Sequence, residues 1–266
     1  SLNNLMALRA GAIRFNTDLS QMEIYDGNQW TGILATSPDL QTGGTRGMQF
    51  AGEAPSFVNN FFNISSTGNA ASFGGFASNR FYASACASRT RAIVDSGESS
   101  MTNREFFTIA STGGGTSFGS CYNHRSGTAF SSATRGVFGG GGTPQNTNVL
   151  HYITIQSTGN SVDYGDLTSE PGQYRMGNVA STTRGLLMGL YAPGGDSHAN
   201  HNTIEFITIA TLGNSVDFGD LTTTASNCAS SSNSVRAIRL GKWPTNDMID
   251  FVTIATLGNA IDFGDL

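Results

Sequence analysis

The chain has 266 residues and a formal net charge of −5, and only 12% of its residues are charged. Its 34 glycines, with abundant Ser, Thr and Asn, disfavour helices, whereas 38% hydrophobic residues including 17 Phe suffice for a core. The chain has no basic run suited to phosphates and no apolar run long enough for a membrane span, so we expect neither nucleic-acid binding nor membrane insertion.

Residues 1–32 predict a small β-meander that does not match the rest of the chain. The segment "GAIRFN" predicts a strand at 12–16, and "MEIY" predicts another at 22–25, with turns at "TDLS" and "DGN" before Trp30. A lone meander of this size is marginal in water, so we expect it to pack on other protein. The start lacks signal-peptide features and an initiator Met, which indicates a processed chain or a piece of a longer one.

Residues 33–266 contain five copies of a two-part signature. A segment such as "TRGVFGGG" comes first in each copy, and a segment such as "ITIQSTGNSVDYGDL" follows it. The arginines of the first part are Arg46, Arg91, Arg135, Arg184 and Arg236. The turn glycines of the second part are Gly68, Gly113, Gly159, Gly213 and Gly258, at spacings of 45, 46, 54 and 45 residues. Self-similarity at this period is the signature of a repeat architecture.

Within one copy the apolar residues alternate with polar ones, which is typical of strands. Ile153 and Ile155 alternate with their neighbours in "HYITIQ", "STGN" predicts a turn, and Val162, Tyr164 and Leu167 of "SVDYGDL" are expected to face inward. Four short antiparallel strands in about 45–54 residues match one propeller blade. The sequence therefore predicts an all-β chain with a five-bladed β-propeller, and residues 31–44 are placed to complete the first blade. A flat β-solenoid is the competing geometry.

Both parts of the chain resemble phage proteins. The form G-A-I-R-F-N-T-D followed by M-E-I-Y-D-G-N-Q-W resembles a short β-module in tail-fibre and other virion proteins of tailed bacteriophages. The repeat is similar to repeats in structural proteins of phages that infect marine bacteria, and more distantly to the kelch blade, although a regular Trp is missing. The resemblance implies a virion protein assembled in the host cytoplasm, in contact with other virion proteins and forming a homo-oligomer, which would be a trimer in a fibre.

The segments between the two signature parts differ in length and content, which predicts loops that form a recognition surface. The candidate binding residues there are Phe57, Tyr191, His198, His201 and Trp243. The aromatic side chains could stack on sugar rings of a host-surface polysaccharide or pack against the loop bases. The two histidines have the spacing of a metal pair but no evident third ligand, so solvated loop histidines are predicted.

The phrase "SVDYGDLT" approximates the Asp box of sialidase propellers, which is itself a turn motif without catalytic residues. Leu167 and Leu221 stand where the Thr of that motif belongs, and its closing Trp is absent. The later repeats carry carboxylate pairs that suggest calcium. The pairs are Asp163/Asp166, Asp217/Asp220 and Asp262/Asp265. Because the first two repeats lack them, turn hydrogen bonds or pairing with Arg184 and Arg236 is the preferred interpretation.

No catalytic triad, phosphate loop or dinucleotide fingerprint occurs, so the sequence predicts a protein that is not an enzyme and needs no cofactor or metal. The three cysteines, Cys86, Cys121 and Cys228, have no C-x-x-C spacing and are expected to be buried free thiols. The leading hypothesis is a tail fibre or related virion surface component that binds host glycan or docks other virion proteins. A capsid or tail decoration protein is the alternative, followed by a glycan-processing hydrolase.

Overall fold

A computed structural model describes residues 9–17, 21–33, 44–50, 58–77, 80–97, 102–142, 147–168, 177–192, 199–242 and 246–266. The regular elements among these residues are β-strands, all paired antiparallel, which confirms the all-β prediction. Nowhere in these ranges is there a helix with the length and apolar character needed to cross a membrane. The chain divides into two compact units, Ser1–Leu40 and Gln41–Leu266.

The N-terminal unit is a three-stranded meander in the order β1-β2-β3. Its strands are β1 (Ile13–Asn16), β2 (Gln21–Tyr25) and β3 (Trp30–Gly32). Asp26 shapes the "DGN" turn, because its Oδ1 accepts hydrogen bonds from the backbone N–H groups of Asn28 and Gln29. The first two strands lie where the sequence predicts them, and the third begins at Trp30.

The second unit contains five sheets, each a simple meander in chain order. The first repeat has β4 (Arg46–Gln49), β5 (Val58–Asn63) and β6 (Ala71–Gly75). The second has β7 (Ser84–Ala87), β8 (Arg91–Asp95), β9 (Asn103–Thr108) and β10 (Thr116–Ser120). The third has β11 (Thr128–Ser131), β12 (Arg135–Gly139), β13 (Val149–Thr154) and β14 (Val162–Asp166). The fourth has β15 (Gly177–Ala180), β16 (Arg184–Ala192), β17 (Ala199–Thr208) and β18 (Val216–Ala225). The fifth has β19 (Ala229–Ser232), β20 (Arg236–Lys242), β21 (Asn246–Thr253) and β22 (Ile261–Asp265).

The first repeat shows three strands instead of four. Residues 31–44 were expected to supply its missing first strand, but Thr31 and Gly32 pair with β2 in the N-terminal unit. Residues 34–43 lie outside the described part of the chain. The other four repeats each show the predicted four strands.

The hydrophobic core lies between the repeats and not inside any one of them. Four clusters of buried side chains each combine the fourth strand of one repeat with the second and third strands of the next. Tyr164 and Leu167 of the third repeat, for example, pack with Leu187, Ile207 and Ile209 of the fourth. The first strands β7, β11, β15 and β19 also lie beside one another. Each repeat therefore depends on its neighbours for burial, as in repeat proteins generally.

One predicted inward residue faces solvent. Tyr164 and Leu167 are buried as expected, but Val162 is half exposed, and so is Val216 in the following repeat. The next repeat reaches only the later part of the fourth strand, where its turn bonds the carbonyl groups of Tyr164 and Asp166. The alternation of apolar and polar residues in a strand does not by itself show which part of the strand the next repeat buries.

Candidate functional site

The boundary between consecutive repeats is the most regular polar arrangement in the described chain. At the boundary of the second and third repeats, Gly159 N donates to Phe118 O at 2.8 Å and Ser161 N donates to Ser120 O at 3.0 Å. The Asn160 side chain accepts a hydrogen bond from Ser120 N at 3.0 Å. The two main-chain bonds recur at the other three boundaries, from Gly113 and Gly115, from Gly213 and Ser215, and from Gly258 and Ala260. We call this arrangement the junction.

The repeat arginines cross the same junction in the opposite direction. Arg135 lies over the ring of Tyr152 in its own repeat, with its Cζ 4.5 Å from the ring centroid. Its Nη1 donates to the carbonyl groups of Ile209 and Ala210 in the next repeat, at 3.0 and 2.8 Å. Arg46, Arg91 and Arg184 bind the corresponding carbonyl groups of the repeats that follow them. These arginines therefore join repeats and do not gather into one cationic site.

Sequence reasoning missed the ring beneath each arginine. An aromatic residue stands seven positions before every turn glycine, and all five carry an arginine on one face. They are Phe61, Phe106, Tyr152, Phe206 and Phe251. Each also packs edge-on against the fourth-strand aromatic of its own repeat, at centroid distances of 5.9 to 6.4 Å. The aligned repeats contained this signal, because the aromatic recurs at a fixed distance from the turn.

The glycine that the junction needs follows the fourth-strand aromatic. A Cβ built on Gly165 would lie 2.5 Å from the carbonyl oxygen of Gly213, and its φ of +141° also favours glycine. Gly74, Gly119 and Gly219 face the next turn in the same way. A Cβ on the turn glycines Gly68, Gly113, Gly159, Gly213 or Gly258 would instead meet open space. The position after the fourth-strand aromatic therefore requires glycine, because a side chain there would clash with the main chain of the next turn.

A buried charged cluster distinguishes the junction of the second and third repeats. Asp95 Oδ2 forms an ion pair with Arg104 Nη2 at 3.0 Å and accepts a hydrogen bond from His151 Nε2 at 2.9 Å, and His124 Nε2 lies 3.8 Å away. All four side chains are almost fully buried. Burial would raise the pKa of Asp95, but the Arg104 charge and the His151 hydrogen bond outweigh it and hold that pKa well below its usual range. Burial lowers the pKa of His124, with partial opposition from the Asp95 charge.

Asp95, His124 and His151 could in principle hold a metal ion, since one ligand atom from each lies within 4.8 Å of the others. His124 Nδ1 contacts the carbonyl oxygen of Tyr122 at 3.1 Å, which leaves Nε2 directed at the cluster. However, the Arg104 guanidinium already neutralises Asp95 and shares its Oδ2 with His151. A divalent cation would add two buried positive charges beside that guanidinium. A structural network is therefore the better interpretation.

Other polar side chains fill the third-strand position eight residues before the turn glycine. Glu105 pairs with the buried Arg80 at 2.6 Å, and Asp250 pairs with the buried Arg239. Glu205 accepts a hydrogen bond from the Ser215 hydroxyl. Buried charges require such partners, and these hold the third strand to neighbouring segments.

The predicted binding residues fall mainly outside what the structure describes. Phe57, His198 and Trp243 lie outside the described residues, and only the backbone of Tyr191, in β16, is described. His201 was expected in a solvated loop, but it is a half-buried residue of β17 paired with Leu190 and Ala225. β17 begins at Ala199, so His201 lies in a strand and not in a loop.

Two smaller expectations also have outcomes. The predicted pairing of aspartates with Arg184 and Arg236 is not found among the described residues. Arg184 instead binds the Ile254 carbonyl group, and Arg236 lies over the ring of Phe251. Asp262 does make a turn hydrogen bond, which it accepts from Gly264 N at 2.9 Å. The three cysteines form no disulfide in the described chain and are half-buried, and burial raises the pKa of Cys86 to about 12.

No protein-family model matches the chain, and no curated protein sequence matches it. Functional inference therefore depends on the residues and their geometry.

Proposed function

We propose that the chain is a non-enzymatic structural protein of a bacteriophage virion, a tail fibre or related surface component. The observation that supports this role is the fourfold recurrence of one junction, in which four of the repeated turns and four of the repeated arginines join one repeat to the next. A scaffold of this kind leaves only the unrepeated segments for recognition. The resemblance of both chain parts to virion proteins supplies the biological setting.

The five repeats are proposed to be blades of a β-propeller. Two features support blades: the first strands β7, β11, β15 and β19 adjoin one another, and the fourth strands meet the turns of the next repeat. A five-blade ring also needs a junction between the fifth repeat and the first. The described residues of these two repeats share no junction hydrogen bond, so ring closure stays a prediction.

The segments that connect the second and third strands are the proposed recognition surface. In the fourth repeat these strands, β16 and β17, contain nine and ten residues, compared with five and six in the third. Tyr191 is the second-last residue of β16, and His198 directly precedes β17 in the sequence. Trp243 occupies the corresponding segment of the fifth repeat. We propose that these segments bind host-surface polysaccharide or dock other virion proteins.

Adsorption of the labelled chain to a panel of bacterial envelopes tests this role, with polysaccharide length followed in the same tubes. Saturable binding to a few strains with intact polymer is expected, and Trp243→Ala should weaken it while Trp30→Ala, in the other unit, should not. Shortening of the polymer would contradict a non-enzymatic role. Absence of binding to every strain would contradict the recognition role and favour the decoration protein, whose position on the particle could then be mapped.

A further inference from the structure

The first and fifth repeats each carry half of a junction without the other half. In the first repeat, Gly68 N and Ala70 N correspond to the two main-chain donors of every internal junction, and Asn69 corresponds to Asn160. In the fifth repeat, the Phe263 and Asp265 carbonyl groups correspond to the two acceptors. Among the described residues, none of these groups makes its junction bond.

Arg236 shows the same incompleteness. Like the other repeat arginines it lies over its own aromatic ring, Phe251, at 4.6 Å. The other four arginines donate to carbonyl groups of the following repeat, but Arg236 has no such acceptor in the described chain. The matching carbonyl groups, those of Ile64 and Ser65, lie on the first repeat.

The first and fifth repeats expose apolar side chains at positions that are buried in the internal junctions. Ile64 is 66% exposed, whereas its four counterparts, Ile109, Ile155, Ile209 and Ile254, are at most 5% exposed. Phe263 is 57% exposed, whereas Phe73, Phe118, Tyr164 and Phe218 are at most 3% exposed. A Cβ on Gly264 would meet nothing, whereas its four counterparts face the turn of a following repeat. End repeats with polar outer faces would keep a repeat array separate, and these faces are not polar.

We infer that the first repeat of a second copy of this chain docks on the fifth repeat, head to tail, through the junction that the chain already uses four times. The expected bonds join Gly68 N to Phe263 O, Ala70 N to Asp265 O, and Arg236 to the carbonyl groups of Ile64 and Ser65. Each end complements the other atom for atom, so a second copy satisfies both sets of groups. Such a heterologous interface builds rings or filaments. The inference depends on the internal junctions and not on the proposed virion role, and it is the alternative to closure of the five repeats into a ring within one chain.

Sedimentation velocity of the full chain over a wide concentration range tests the inference. The wild-type chain should associate beyond one copy as its concentration rises. Ile64→Asp blocks one end and Phe263→Asp blocks the other, so each variant alone should remain a single chain. An equal mixture of the two should form a two-chain complex, because one intact end of each kind remains. Ile261→Asp is the matched control, since its exposed counterparts Val162 and Val216 lie outside the internal junctions.

Two results would overturn the inference. A wild-type chain that stays single at every concentration would contradict it, and lower thermal stability of Ile64→Asp and Phe263→Asp would then indicate that the ends pair within one chain. Association that persists in both variants would place the contact elsewhere. Neither result bears on envelope binding, which the adsorption assay measures separately.

Discussion

Two neighbouring junctions are built from the same main-chain bonds but from different side chains. The junction of the second and third repeats encloses Asp95, Arg104 and His151, whereas the equivalent positions one repeat later are Gly139, Leu150 and Glu205. Both junctions keep the turn bonds, the crossing arginine and the close glycine contact. The comparison indicates that backbone geometry defines the repeat, while the buried cluster of Asp95, Arg104 and His151 is a local addition to one boundary.

The largest expected effect is loss of the Asp95 carboxylate. Asp95→Ala leaves the buried Arg104 without its ion-pair partner, and breaking such a pair costs about 3–5 kcal/mol of unfolding free energy. Urea unfolding should show this loss, whereas the exposed Asp163→Ala should change stability by less than about 0.5 kcal/mol. Stabilisation of the wild-type chain by added Zn²⁺, abolished in His124→Gln, would contradict the structural interpretation of the cluster.

The glycine contact should matter equally at both junctions. Gly119→Ala and Gly165→Ala place a methyl group against the next turn at a φ that disfavours alanine, and we expect each to lose about 2–4 kcal/mol. Gly159→Ala adds its methyl group in open space and serves as the control in the same unfolding assay. A loss at only one of the two positions would show that the junctions are not equivalent.

The crossing arginine gives a smaller effect that depends on position. Arg135→Gln removes the ring contact and two hydrogen bonds to the fourth repeat, with an expected loss of about 1–2 kcal/mol. Arg236→Gln removes only the ring contact in a single chain, so its loss should be about 0.5 kcal/mol at low protein concentration. Equal losses measured by thermal unfolding in dilute solution would argue against the unpartnered state of Arg236.

The smallest effect is a pH dependence confined to the charged junction. Because the pKa of His124 is lowered in the folded chain, its stabilising contribution is complete above the unfolded pKa, about 6.5, and declines as pH falls below that value. One proton allows at most about 1.4 kcal/mol per pH unit. His124→Gln should flatten the profile of unfolding free energy against pH between about pH 6.5 and the lower pKa that His124 has in the folded chain. An unchanged profile would show that His124 does not titrate on unfolding.

Asp95 should act at lower pH. Its folded pKa lies below the usual range, so its contribution persists above the unfolded pKa of about 3.9 and is lost as pH falls further. The acid transition of the wild-type chain should therefore be steeper than that of Asp95→Ala.

The repeat could be predicted from the sequence because it is written in local signals. Alternating residues such as Ile153 and Ile155, the turn at Gly159 and the fixed distance to Tyr164 are all set within a few residues. The aromatic partners of the arginines were equally visible in the aligned repeats, although they were not recognised. The charged junction gave a weaker signal, a lone His151 in an otherwise apolar strand.

The sequence by itself determined the all-β class, the five repeats and the four strands of each of the last four repeats, because short-range polarity and turn chemistry specify them. Only the tertiary structure decided that the core lies between repeats, that Arg135 reaches Ile209, and that Asp95 meets His151 from another sheet. It also decided that Gly165 and not Gly159 is required by the junction. Contacts between residues far apart in the chain depend on how the sheets pack against one another, and no local sequence pattern specifies that packing.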